Sequence, residues 1–267
     1  MAKKIVNASV QSVTSVAQNT IVLSLKQSEI ARHARAGQFV EVKVPRCPDA
    51  FWRRPFSIHN ADPDRGTFDL LFNIVGKGTL KLAELEPGES VSVIGPLGNS
   101  FSYSEQLTNA VLVAGGLGIA PFRLMLREIP STVQVKLFYG TPSKSFLLEL
   151  ADFKARAELI ISTDDGSYGA AGLITDQLKT YLETQTDKNG QELFVCGPTP
   201  MMLKVQQLAE EYDISAQASV ETVMACGFGA CMGCAVALAH PNPGEREYAL
   251  ACTDGPVFNM KDIVFNG

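Results

Sequence analysis

The chain has 267 residues, of which 46% are apolar and 19% charged, and its net charge is −5. That length suits two or three small domains with cores of their own, and the lack of a basic surplus excludes a typical nucleic-acid binder. The start, Met-Ala-Lys-Lys-Ile-Val-Asn, has no signal-peptide run behind it, and the most apolar stretch, Ala110 to Phe122, is too short and glycine-rich to span a bilayer. The expectation is a soluble, cytoplasmic protein with reduced thiols.

The first hundred residues read as short strands. Ile5–Val16, Thr20–Leu25, Gln38–Val44, Phe56–His59, Thr67–Val75 and Ser90–Ile94 carry alternating or β-branched patterns. A helix is expected from Thr79 to Leu85. Many short strands of this kind predict an antiparallel barrel. After Gly95-Pro96-Leu97-Gly98-Asn99 the texture changes. Ala110–Ala114 is a continuous apolar run, as for a strand covered on both faces. Strands follow at Val133–Tyr139, Glu158–Ser162 and Glu192–Cys196, with helices at Pro121–Glu128, Phe146–Lys154 and Thr175–Leu182 and from Pro200 onward. This alternation predicts a parallel α/β domain. The expected division is a flavin-type barrel over residues 1–100, a nicotinamide-type α/β domain over 101–213 and a small tail domain over 214–267.

The motifs follow the same order. Pro55 stiffens Arg53-Arg54-Pro55-Phe56-Ser57, and an arginine fork can pair with a phosphate; a surface arginine pair beside a core strand is the plainer reading. Gly76-Lys77-Gly78-Thr79 opens a helix and is read as a pyrophosphate turn capped by Thr79, or as an ordinary loop. Gly115-Gly116-Leu117-Gly118-Ile119-Ala120-Pro121 follows a buried strand and starts a helix, the setting of a dinucleotide turn. Pro121 stands where the usual fingerprint has its third glycine, and proline suits a first helical turn. Gly140 and Cys196-Gly197-Pro198 end two further strands, where ligands of open sheets bind. Cys196 is either a small core residue or a wall of a nicotinamide pocket. Asp164 and Asp165 form a solvated turn, or they meet an adenosine ribose and favour NAD over NADP. His33, His59 and His240 show no triad or metal spacing and read as ordinary residues.

The tail carries Cys226, Cys231, Cys234 and, after seventeen residues, Cys252. This is the C-x4-C-x2-C…C spacing of a plant-type 2Fe-2S cluster. Gly227, Gly229 and Gly233 allow the backbone to curl, leaving amides free to face the sulfides. Structural zinc would use two C-x2-C knuckles, and there is one. A disulfide framework does not suit a reducing compartment.

Together these motifs resemble the ferredoxin–NADP reductase superfamily. Met224–Cys234 and Cys252-Thr-Asp-Gly-Pro-Val-Phe more narrowly resemble the electron-transfer subunit of class 1B dihydroorotate dehydrogenase, in the same motif order over nearly the whole chain. The resemblance implies FAD held by Arg54, Pro55, Phe56, Ser57, Leu71, Phe72, Asn73, Gly78 and Thr79. It implies iron on Cys226, Cys231, Cys234 and Cys252, and its nicotinamide-binding turns are matched by Gly115, Gly116, Gly118 and Pro121 and by Cys196, Gly197 and Pro198; Gly140, Asp164 and Asp165 join these as NAD candidates from the strand-end reading. Ser57 and Cys196 are the candidates for supporting hydride transfer. Asn73 stands where relatives often carry arginine, and the bulky Phe51-Trp52 pair has no assigned role. The implied partner is an FMN-containing catalytic subunit that oxidises dihydroorotate, in a heterotetramer with two copies of each chain. Electrons would pass through FMN, cluster and FAD to NAD. The alternatives are a reductase subunit of a sulfide dehydrogenase or ferredoxin–NAD(P) oxidoreductase, and, in another class, a non-catalytic module with structural zinc.

Overall fold

In the computed structural model the described residues are 4–47, 51–148, 150–185, 188–241, 244 and 246–265. The N-terminal third closes into a six-stranded antiparallel barrel of β1 (Ile5–Ala17), β2 (Thr20–Lys26), β3 (Phe39–Val42), β4 (Arg54–Asp62), β5 (Thr67–Asn73) and β6 (Ser90–Leu97). Round the barrel the order is β1-β2-β5-β4-β3-β6, and β6 returns to pair with β1. Closure leaves no open sheet edge. Leu23, Leu25, Ile58, Phe68 and Leu70 fill the inside. α1 (Ser28–His33) follows β2; the sequence reading missed it because six residues show too little periodicity. α2 (Lys77–Ala83) starts two residues earlier than expected.

The second sheet follows the predicted alternation. β7 (Asn109–Gly115), β8 (Gln134–Thr141), β9 (Glu158–Thr163), the short β10 (Ala170–Ala171) and β11 (Gln191–Cys196) run parallel. α3 (Ala120–Glu128), α4 (Ala151–Lys154), α5 (Ile174–Thr184) and α6 (Thr199–Glu211) connect them. The tail then re-enters this sheet. β12 (Ser215–Ser219) adds parallel to β11, and β15 (Val257–Asn259) adds antiparallel at the edge. Between them β13 (Ala235–Ala237) and β14 (Tyr248–Leu250) form a small hairpin that carries the cysteine loop.

The helix expected over Phe146–Lys154 is shorter. Lys144–Phe146 forms a 3-10 turn, and only Ala151–Lys154 is α-helical; Glu149 lies outside the described residues. The barrel wins over local propensity here. The Gln18 N–H donates to the Ser145 carbonyl, and Leu147 and Leu148 pack against the main core. No described helix is long and apolar enough to cross a membrane.

Barrel and sheet are joined by polar contacts from α3. The Glu128 carboxylate accepts the Ala36 N–H at 3.2 Å, and Arg127 donates to Asn60 and to the Ala61 carbonyl. Buried His59 of β4 donates through Nδ1 to the Ala120 carbonyl at 2.8 Å. The turn after β7 is thereby held against the barrel wall.

Candidate functional site: two adjoining cavities and a cysteine loop

A cavity of about 610 Å³ opens at the carboxyl ends of the parallel strands. Of the residues expected there, Gly115, Gly116, Gly140, Asp164 and Pro198 line it. Gly116 has φ +54 and starts a 3-10 turn, Gly116–Ile119, that runs into α3. A Cβ on Gly115 would stand 2.7 Å from Pro198 Cδ and 2.8 Å from Met201 Sδ. The strand ends can approach only without side chains at these positions.

Other expected residues act from behind the wall. Gly118 packs on the Cys196 carbonyl, Gly197 abuts Gly115, and Pro121 is buried in the first turn of α3. Of the two readings of Cys196, its burial accords with the core residue. It is 1% exposed and lines neither cavity; its side chain faces Ser219, and burial pushes the thiol pKa up. The two acids also part company. Asp164 lines the cavity, whereas the exposed Asp165 accepts from the Ser167 N–H at 2.9 Å and the Ser167 hydroxyl at 2.6 Å. That side-chain bond, then the amide, lowers the Asp165 pKa.

A second cavity, of about 340 Å³, lies on the barrel side. Pro55, Phe56, Ser57, Leu71, Phe72, Asn73 and Thr79 all line it. Pairing puts them together: β4 and β5 are neighbours in the barrel, and the Phe56 and Phe72 rings meet at 5.1 Å. Arg54 and Gly78 sit beside the cavity without lining it. Arg54 donates to the Trp52 carbonyl at 2.9 Å, and its Nε is 3.9 Å from where a Gly78 Cβ would stand. Thr79 does not act as an N-cap. It sits in the first turn of α2, and its Oγ1 accepts the Val75 and Gly76 N–H groups at 2.9 and 3.2 Å. Those two amides are therefore satisfied within the chain. Phe51 and Trp52 are exposed and meet edge to face at 5.0 Å.

The two cavities share Asn73 and Leu117 as common walls. Asn73 is pinned by the Thr20 hydroxyl, which donates to its Oδ1 at 2.8 Å. The tail supplies the far wall of the second cavity through Ser219, Val220, Glu221, Thr222, Met224 and Pro256. None of these was anticipated, since only the pairing of β12 with β11 brings them there. Glu221 opens onto this cavity, and loss of water raises its carboxyl pKa.

In the tail, Gly227 and Gly229 adopt φ +74 and +89, so the backbone turns back on itself. The Cys231 N–H donates to Cys226 Sγ at 3.4 Å. Burial opposes charge on Cys226, but the amides of Phe228, Cys231 and Ala230, with the Cys231 thiol, bring its pKa down to about 6. Hairpin register makes the second pairing. Ala235 pairs with Leu250, the Ala251 N–H reaches the Cys234 carbonyl, and the Cys252 N–H donates to Cys234 Sγ at 3.4 Å. Burial, then the neighbouring Cys234, pushes Cys252 up to about 12. All six cysteines are free thiols. The four tail sulfurs thus sit as two pairs, which fits two irons with two thiolates each. Among the described residues no three His, Cys, Asp or Glu side chains are gathered round one point.

Glu41 of β3 was also not anticipated. It is fully buried, neither carboxylate oxygen has a hydrogen-bond partner, and a Cβ on Gly227 would stand 2.5 Å from its Cγ. Burial raises its pKa to about 7, opposed by Arg53.

Comparison with known proteins gives the same three parts. Residues 7–103 match the oxidoreductase FAD-binding domain, residues 112–207 the oxidoreductase NAD-binding domain, and residues 221–264 the iron-sulfur cluster binding domain of dihydroorotate dehydrogenase B. The dihydroorotate dehydrogenase B (NAD(+)) electron transfer subunit of Desulforamulus reducens is 36% identical over 98% of this chain and 99% of its own. The subunit of the same name from Geobacillus thermodenitrificans is 34% identical over 93% and 94%. A solved NADH-dependent reduced ferredoxin-NADP oxidoreductase superposes with a TM-score of 0.84 at 25% identity, covering 97% of this chain and 90% of that one. With relatives aligned almost end to end, and with FAD-binding, NAD-binding and iron–sulfur domains in that order, this chain belongs to the dihydroorotate dehydrogenase B electron transfer subunits, a family of NAD-linked flavin and iron–sulfur oxidoreductases.

Proposed function

We propose that this chain passes electrons between NAD and an FMN-containing catalytic subunit that oxidises dihydroorotate, as one half of a heterotetramer. The observation that carries the reading is the shared wall: Asn73 and Leu117 border both the strand-end cavity and the barrel cavity, and the cluster-bearing tail closes the second. Nicotinamide exchanges electrons in pairs as hydride, flavin interconverts pairs and single electrons, and an iron–sulfur centre carries one at a time.

The chain's own residues hold, orient and shield these groups. Pro55, Phe56 and Ser57 form a stiff edge for a flavin ring, with Ser57 as its hydrogen-bonding partner. Arg54, Gly78 and Thr79 flank its phosphate end. Gly115 and Gly116 let the backbone approach a pyrophosphate, and the N-terminal end of the helix beyond favours its charge. Asp164 is placed for ribose hydroxyls and against a 2′-phosphate, which supports NAD. Cys226, Cys231, Cys234 and Cys252 are the iron ligands. The division at 1–100, 101–213 and 214–267 assigns one cofactor to each part, with β12 and β15 tying the third to the second.

Anaerobic spectroscopy tests the scheme. NADH should bleach bound FAD and then the cluster in the isolated chain, whereas dihydroorotate should do so only with the catalytic subunit present. Bleaching by dihydroorotate without a partner refutes it. The likeness to the ferredoxin-NADP oxidoreductase favours a second reading, with the same relay and a different partner. The subunit that co-purifies from native cells distinguishes the two.

A further inference from the structure

We propose that Glu41 sets the charge around the iron–sulfur centre: its buried carboxyl is held against the loop that follows Cys226 and, when ionised, makes the centre harder to reduce. The inference rests on the cluster assignment above.

Glu41 lies on β3, opposite Pro55 of the flavin-cavity strand β4 and Ile94 of β6. Its side chain leaves the barrel on the side of the cysteine loop. There it presses on Gly227, whose missing Cβ is what makes room for the Glu41 Cγ. The residue is 0% exposed, and both oxygens lack partners. The nearby cations do not satisfy it. Arg53 donates to the Ser92 carbonyl and hydroxyl at 2.8 and 2.9 Å and to the Glu41 backbone carbonyl at 3.5 Å, so its charge opposes the carboxylate in part without bonding its oxygens, and Arg54 donates to the Trp52 and Arg53 carbonyls.

An orphan carboxylate is costly for a fold to bury. A glutamine or an aliphatic residue would serve β3 better if packing were the only demand. In a low-dielectric site such a charge acts strongly on whatever lies beyond the loop. Adding an electron next to it is disfavoured, and net charge is among the factors that set cluster potentials. Glu41 sits on the strand beside the one that lines the flavin cavity and packs on the residue after the first cysteine, so its charge also biases the electron's preference between the two centres.

The test is a redox titration of the full-length, iron-loaded chain at pH 8.5, followed by the electron paramagnetic resonance of the reduced cluster. In Glu41→Gln the centre should accept an electron at least about tenfold more readily, a midpoint rise of about 59 mV for a one-electron couple. Glu41→Asp should move it less. Glu41→Met is a second neutral variant, and both neutral variants should melt no lower than the parent. A merely structural role predicts the reverse pattern, with lost thermal stability and an unmoved midpoint. A neutral variant with full iron and labile sulfide but the parental midpoint overturns the proposal, as does failure of both neutral variants to hold iron. A parent chain that binds no iron sinks the cluster assignment itself, and this inference with it.

Discussion

Gly118 and Cys196 are packed backbone to backbone: a Cβ on Gly118 would stand 2.0 Å from the Cys196 carbonyl oxygen and 2.7 Å from Gly197 Cα. The dinucleotide turn after β7 and the strand end of β11 are thus seated on each other. Their neighbours Gly115 and Pro198 face the larger cavity together. Gly118→Ala must push backbone, which is stiffer than a side chain. We expect a loss of about 1–3 kcal/mol in stability, with a large drop in NADH affinity and little change in FAD content. Urea unfolding and NADH titration of the purified variant check both.

Asp164 and Asp165 are adjacent yet should behave differently. Asp164 lines the nucleotide cavity, while Asp165 is engaged by Ser167. Asp164→Asn should shrink the preference for NADH over NADPH by roughly tenfold, or about 1.4 kcal/mol. Asp165→Asn should leave selectivity unchanged. Steady-state flavin reduction with each nucleotide gives the two ratios.

His59 predicts an acid-sensitive contact between barrel and sheet. Burial lowers its pKa to about 4, partly offset by the bond to the Ala120 carbonyl. The unfolded imidazole titrates near 6.5. Between those values the unfolded chain binds a proton that the fold refuses, so stability falls as pH drops. The contribution is fully present above about pH 6.5, and about 3 kcal/mol of it is lost by pH 4. His59→Gln should flatten that part of the curve. The measurement is the difference between parent and variant in urea unfolding across the range, which cancels the acids common to both.

The cysteine pairs predict separable losses. Cys252 is buried and Cys231 exposed. Cys252→Ser should abolish cluster loading and loosen the β13–β14 hairpin. Cys231→Ser should abolish or weaken loading with less effect on melting temperature. Both should keep their FAD, because β4 and β5 are untouched. Iron, labile sulfide and flavin assays on one preparation decide it.

Much of the fold was legible because its signals are local. The barrel strands, the parallel strands and the run from Gly115 to Pro121 show in residue pattern alone, since a pleat or a phosphate turn is specified within a few neighbours. The cysteine spacing was legible for the same reason: three of the four sulfurs belong to one loop. Phe146–Lys154 failed because a contact with the β1–β2 turn outweighed helix propensity. The two readings of Cys196 could not be separated from sequence, because its strand-end position does not reveal which way its thiol turns.

By itself, then, the order of residues determined the kinds of element, the glycine turns and the set of thiols. Tertiary structure alone decided that Asn73 and Leu117 wall two cavities, that Ser219–Thr222 closes one of them, and that Glu41 meets Gly227. Those contacts join residues far apart in the chain. They depend on strand register and barrel closure, which no short stretch of sequence encodes.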